Sequence, residues 1–282
     1  MQHGLGTFGW DDAWQALLPE GRPELRPARV LAVHYGGSFV HDAINGRVLA
    51  NPTGTLAGKM RRDQTAKLAV GDWVLVEEAS PGKVSVHEVL ARRSRLIRRA
   101  AGESDRPQLL CANIDRAFIV TSADGDWNLE RIDRYLRVTR EGNIDATLVV
   151  TKGDLLLGER NIIGEARERF ADLAVIVTSA VDGRGLDELD AQLTAKCTYA
   201  LLGSSGVGKS TLVNRWLSAA GTPLQAVGEV RESDGKGRHT TTHRELFRTQ
   251  AGALVIDTPG MREVGVVGDE QTATRHARSR KR

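Results

Sequence analysis

The 282-residue chain is 40% hydrophobic and 27% charged, enough apolar side chain to pack one large or two modest domains, with a net charge of only +3. Its two cysteines, Cys111 and Cys197, form no C-x-x-C pair, which excludes a disulfide framework and a zinc knuckle and suits a reducing compartment. The N-terminus lacks the basic start and apolar core of a signal peptide, and no run of 18 apolar residues occurs. A cytoplasmic protein with no membrane partner is expected.

Residues 1–27 form a Gly- and Pro-punctuated extension with one helical candidate, WDDAWQALL, and no residues that suggest chemistry. Between residues 28 and 100 the pattern becomes short β-like runs, ARVLAVHYGG, SFVHDAI, GRVLANP, DWVLVEE and KVSVHEVLARRSRLI, parted by turn residues. These predict a small closed all-β barrel, with a turn at Gly71-Asp72 leading into a strand that carries Trp73 and Leu75 on one face. Periodicity leaves oligonucleotide-binding (OB) and SH3-like barrels both open, and a purely structural role as well. Basic residues cluster in ARRSRLIRRA (91–100) and in the tail RHARSRKR, either as solvated surfaces or as nucleic-acid contacts.

From residue 101 strands and helices alternate. Apolar strands are predicted at RAFIVTS, DATLVVTK, LAVIVTSA, TYALLGSS, RELFRT and ALVIDTPG. Helical patterns lie between the first four, including NLERIDRYLRVTREG with Leu129, Ile132 and Leu136 on one face, NIIGEARERF and GLDELDAQLTA. The fold class is therefore α/β, a parallel sheet with helices on both faces across residues 101–267, followed by a basic tail at 268–282.

GSSGVGKS fits G-x-x-x-x-G-K-S between a strand and a helix. In that context Gly203, Ser204, Ser205, Gly206, Val207, Gly208, Lys209, Ser210 and Thr211 would wrap a phosphate chain, with Lys209 on the β/γ-phosphates and Ser210 on Mg²⁺. VIDTPG ends a later strand and supplies Asp257 for the Mg²⁺ shell and Gly260, whose N–H could sense a γ-phosphate. In VVTKGDLL, Thr151, Lys152, Gly153 and Asp154 follow a strand, and the Asp154 carboxylate can accept both the N1–H and N2–H₂ donors of guanine, which adenine lacks. Ser179 and Ala180 end the next strand, placed to meet guanine O6. The base-reading segments thus precede the phosphate loop, the order expected if an ordinary GTPase domain is cut after its third strand and its old ends are joined.

These residues resemble the circularly permuted bacterial GTPases of small ribosomal subunit biogenesis, the RsgA (YjeQ) type, through GDWVLVE, TKGD, TSA, GSSGVGKSTLVN, GRHTTTHREL and DTPGMRE over roughly residues 28–267. The resemblance implies a circularly permuted P-loop GTPase domain preceded by an OB barrel that touches 16S rRNA. It further implies GTP hydrolysis to GDP with Mg²⁺, stimulated by the 30S subunit, in late maturation of that particle. A monomer is expected. The family's C-terminal zinc domain has no counterpart in QTATRHARSRKR, so no zinc is expected in this chain and its ribosome engagement is expected to suffer.

Thr151 stands where the family usually carries Asn, so guanine selection is expected to persist while the tether to the phosphate loop weakens. Met261 occupies the position where many GTPases carry a water-orienting Gln, so intrinsic hydrolysis is expected to be slow. In the switch segment Thr241, or the neighbouring Thr240, would complete the Mg²⁺ shell, and His239 is a candidate to position water or contact the γ-phosphate. A guanine-nucleotide-binding assembly factor with little hydrolysis is the alternative; an ATP-dependent kinase is disfavoured by the guanine segment.

Overall fold

The structure is a computed structural model and describes residues 4–34, 36–99, 107–156, 161–218 and 244–257. After a 3₁₀ turn at Leu5–Phe8 and a one-turn helix α1 (Asp12–Gln15), β1 (Arg26–His34), β2 (Gly37–Asp42), β3 (Gly46–Pro52), helix α2 (Gly54–Arg62), β4 (Trp73–Ser80) and β5 (Lys83–Val89) follow. They pair in the order β1-β2-β3-β5-β4, and β4 returns to β1 to close the barrel. All these pairings are antiparallel except β3 with β5. A closed five-stranded barrel with a helix between its third and fourth strands resolves the open choice in favour of the OB architecture.

Strand β4 shows why the barrel and the extension belong together. Side chains alternate along a strand, so Val74 and Val76 point into the barrel core while Trp73 and Leu75 point outward. All four are fully buried. The outward face is covered by the N-terminal extension, where Leu5 and Trp14 are buried against Trp73 and Trp10 meets the Trp73 ring edge-on at 4.7 Å. Asp11 caps α1 by accepting from Trp14 N at 2.9 Å, and the Arg93 fork holds its carboxyl down at about 2.

The long run predicted as one barrel strand over residues 83–97 is two strands. β5 ends at Val89, and β6 (Arg95–Arg99) pairs instead with β7 (Pro107–Ala112) in a separate hairpin. Leu96 is buried in the core of the neighbouring α/β layer, which draws β6 away from the barrel.

The α/β layer comprises β8 (Arg116–Ser122), α3 (Leu129–Glu141), β9 (Asp145–Thr151), α4 (Ile162–Arg169), β10 (Ala174–Val177), α5 (Leu186–Asp190), β11 (Thr198–Leu202), α6 (Lys209–Ser218), β12 (Glu245–Arg248) and β13 (Leu254–Asp257). The sheet order is β10-β9-β8-β11-β13-β12, and β12 alone among these is antiparallel to its neighbour. Alternation along the central strands feeds two cores. Ile119, Leu148, Val150 and Leu202 meet Ile132, Leu136, Ile162 and Ala166 of α3 and α4 on one face. Phe118, Val120, Val149 and Leu201 meet Leu186 and Leu189 of α5 and Leu212, Val213 and Trp216 of α6 on the other. The barrel joins the edge of this sheet where Ala32 of β1 pairs with Glu245 of β12.

Candidate functional site

Because β8, β9, β10, β11 and β13 are parallel, their C-terminal ends lie along one edge. The chain runs outward from β8 through β9 to β10, then returns to β11 on the other side of β8. That reversal makes the β8/β11 boundary the crevice where open α/β sheets bind ligands. The segments that leave this edge are the phosphate loop after β11, Ala123–Asp126 after β8, Lys152–Asp154 after β9 and Ser179–Ala180 after β10.

The phosphate loop needs its glycines. A Cβ on Gly203 (φ 152°) would lie 2.1 Å from the Val120 carbonyl oxygen, and Gly206 and Gly208 also have positive φ, at 82° and 98°. Lys209 opens α6 and folds back over the loop, donating to the carbonyls of Gly203 (2.7 Å) and Ser204 (2.6 Å). Burial pulls its ammonium below the ordinary lysine value, against the pull of the Asp257 and Asp126 carboxylates. Those carbonyl bonds are exchangeable: a phosphate oxygen would serve the same donors with full charge. Ser210 and Thr211 are exposed at the start of α6, while Val207 is buried and anchors the loop.

At the base end, the tether expected to weaken at Thr151 is present. The Thr151 hydroxyl lies 2.5 Å from the Val207 carbonyl oxygen and 3.1 Å from that of Thr121, one donor shared by two acceptors. The shorter side chain suffices because Thr151 is buried directly against the loop, where a Cβ on Gly208 would lie only 3.4 Å from the Thr151 Oγ1 and Cγ2. One atom therefore ties the β9 terminus to the phosphate loop across the end of β8.

Asp154 Oδ1 accepts from Ser179 Oγ at 2.8 Å, joining the two predicted base-reading segments. Ser179 is itself fixed: its N–H donates to the Arg184 carbonyl at 2.9 Å, and its Oγ accepts from the N–H groups of Val181 and Asp182 at 3.2 and 3.3 Å. Gly153 N donates to the Thr178 carbonyl at 2.9 Å, and a Cβ on Gly153 would meet Val177 Cγ1 at 2.8 Å. Ala180 is exposed beside them.

Residues that the motifs did not mark lie at the same edge of the sheet. Lys152, in the left-handed region at φ 55°, pairs with Asp124 Oδ2 at 2.6 Å, and Ser122 Oγ donates to Asp124 Oδ1 at 2.6 Å. The Lys152 and Ser122 hydrogen bonds hold the Asp124 carboxyl below the usual range. Asp126 pairs with Arg131 at 2.8 Å, and the side chains of Tyr135 and Ser204 hydrogen-bond. Their signal in the sequence is position alone: SADGDW directly follows a strand of the same sheet, as TKGD and TSA do.

Asp257 ends β13, next to β11, and its charge acts on Lys209. His239, Thr240, Thr241, Gly260 and Met261 lie outside the described residues. Among the described residues no group of three or more His, Cys, Asp or Glu could hold a metal by protein ligands alone. A hydroxyl and a single carboxylate, Ser210 and Asp257, suit Mg²⁺, which keeps waters and takes its other oxygens from a nucleotide.

Residues 89–267 match the family model described as RsgA GTPase. A small ribosomal subunit biogenesis GTPase RsgA from Opitutus terrae is 40% identical over 279 residues, covering 95% of this chain and 75% of its own length. A protein of the same name from Xylella fastidiosa is 41% identical over 276 residues, covering 94% of this chain and 77% of its own length. Among solved structures, YjeQ from Thermotoga maritima superposes with a TM-score of 0.60 at 26% identity, over 86% of this chain and 77% of that one. YloQ, described as a circularly permuted GTPase, shares the fold with a TM-score of 0.56 at 23% identity, over 88% of this chain and 76% of that one.

Proposed function

The chain belongs to the RsgA GTPase family and is a GTP-hydrolysing enzyme, and from that premise we propose that it acts in biogenesis of the small ribosomal subunit, selecting guanine through Asp154. The observation that carries the guanine reading is the Ser179–Asp154 hydrogen bond. It orients the carboxylate, leaves Oδ2 without a partner among the described residues and leaves Oδ1 a second lone pair, so the two oxygens can take both donors of a guanine edge. A base without them would leave this half-buried carboxylate covered but without donors. The relatives' names supply the ribosomal part of the reading.

Each residue has a task in this account. Thr151 holds base and phosphate ends in register, and Asp124, at the end of the neighbouring strand, clamps Lys152. Lys209 trades its carbonyl partners for the β/γ-phosphates. Ser210 and Asp257, with Thr241 or Thr240, would hold Mg²⁺, which supplies charge neutralisation at the transferring phosphoryl group. Gly260 would meet the γ-phosphate, and His239 would position the attacking water. The protein would work in the cytoplasm as a monomer on 16S rRNA, with hydrolysis raised by the 30S particle. Among the described residues no helix is long and apolar enough to cross a membrane.

Two assays test this. Co-sedimentation with 30S subunits should retain the protein with a non-hydrolysable GTP analogue and release it with GDP. Turnover should rise when purified 30S subunits are added. A flat response in both would remove the ribosomal particle as the partner. An Ala substitution at His239 that leaves stimulated turnover unchanged would remove that residue from the mechanism.

A further inference from the structure

The arginine run at 91–100 reads in the sequence as a single basic surface, but the structure divides it. Arg92 is spent on the buried Asp72, with Nε–Oδ1 at 2.6 Å and NH2–Oδ2 at 2.8 Å. Arg93 grips Asp11 through two bonds of 2.7 Å and lies over the Trp14 ring at 4.2 Å. Arg98 has no such partner among the described residues. It is partly buried on β6, and its Nε is buried without a hydrogen-bond partner. Arg244, the residue before β12, is in the same condition: partly buried, its Nε buried and unpartnered. Neither forms an ion pair with a carboxylate among the described residues.

Packing brings the two together. Leu96 on β6 and Leu246 on β12 share one core cluster, and side chains two residues apart on a strand share a face. Arg98 and Arg244 therefore extend from strand faces that border one and the same buried cluster. Burial pulls the Arg244 guanidinium below its ordinary value, and the Arg98 charge pushes the same way. The group opposing them is Cys111, whose thiol burial pushes up to about 12, so it carries no charge at neutral pH.

Two like charges, each with a buried, unpartnered Nε and no ion-paired carboxylate among the described residues, disfavour their own arrangement. An anion whose several oxygens match two guanidinium forks would satisfy both. We propose that Arg98 and Arg244 together form a binding site for a phosphate group, supplied by an RNA backbone, where the β6–β7 hairpin meets β12. The RNA source rests on the ribosomal reading above. Arg244 directly follows the expected switch residues in the sequence.

The test uses the full chain loaded with GDP and a labelled RNA stem-loop of about 20 nucleotides, titrated at salt concentrations from roughly 50 to 300 mM. Arg98→Ala and Arg244→Ala should each weaken binding by about 5- to 10-fold and lower the log–log salt slope by about 1. The double variant should lose no more slope than either single one, because one phosphate is shared. Arg98→Lys and Arg244→Lys should keep the slope and lose affinity, since a lysine retains charge without the fork. Unchanged GDP affinity in every variant reports an intact fold. Unaltered slopes in both alanine variants, or a double variant that loses two units, would overturn the shared site. Wild-type protein that binds no RNA would count against the ribosomal reading, and inorganic phosphate then decides. If it stabilises wild type and not Arg98→Ala, the pair takes free phosphate and RNA is overturned as the source. If it stabilises neither, the site itself is overturned.

Discussion

At the N-terminal end of β11, Arg29 donates to Thr198 Oγ1 and to the Asn113 carbonyl, both at 3.1 Å; at the C-terminal end, Lys209 donates to the carbonyls of Gly203 and Ser204 at 2.7 and 2.6 Å. Both cations are drawn below their ordinary pKa by burial, Arg29 to about 10. Their partners differ in kind. Arg29 comes from barrel strand β1, stacks on Trp73 at 4.9 Å, and reaches groups of the α/β layer, so its bonds join two parts of the chain. Among the described residues the Lys209 side chain bonds only the loop it belongs to, and those bonds can be surrendered to a ligand without disturbing a neighbour. One end of the strand is welded, and the other is held ready for exchange.

That contrast can be broken by substitution. Arg29→Ala leaves the Asn113 carbonyl and Thr198 hydroxyl without their buried donor, and should lower unfolding free energy by about 2–4 kcal/mol. GDP affinity of the folded fraction should stay within about 2-fold, and Arg29→Met should cost less than Ala because a buried cation is replaced by apolar volume. Denaturant titration with and without GDP measures both. Lys209→Ala should do the reverse, weakening GDP binding by roughly 100-fold, about 2.7 kcal/mol, with little change in the melting temperature of the nucleotide-free protein.

Thr151→Val sharpens the picture at the exchangeable end. It keeps the shape and removes the hydroxyl proton shared by the Val207 and Thr121 carbonyls. Nucleotide affinity should fall by about 5- to 20-fold, or 1–2 kcal/mol, measured by fluorescent GDP titration. The smallest effect is in pH. Lys209 has its pKa lowered in the free protein, and a bound phosphate raises it again, so binding takes up a proton once pH passes the free value. GDP affinity should be insensitive to pH while Lys209 stays protonated in the free protein. It should then decline at a pH below the ordinary lysine value of 10.5, and Lys209→Ala should abolish that decline.

Much of the α/β layer was legible because its strands are nearly continuous apolar runs, buried on both faces, as β8 and β11 show. The phosphate and base segments were legible because their chemistry depends on local spacing. The missed features depend on long-range contact. Helix α2 carries Gly54 and Gly58 and buries only Leu56, so its apolar signal is weak, although Thr53 caps it. Strand β7 is a six-residue run whose pairing with β6 no local pattern reveals. The outward Trp73 face is explained only when the extension folds over it. Asp124 and Asp126 entered the site because sheet order places the end of β8 between those of β9 and β11.

The most direct measurement is a titration of fluorescent GDP against fluorescent ADP, with wild type and Asp154→Asn side by side. The account predicts GDP binding at least about 100-fold tighter than ADP in wild type, since a stranded carboxylate costs several kcal/mol, and loss of that preference in the variant. Equal affinity for the two nucleotides in wild type, or a preference untouched by Asp154→Asn, would contradict it.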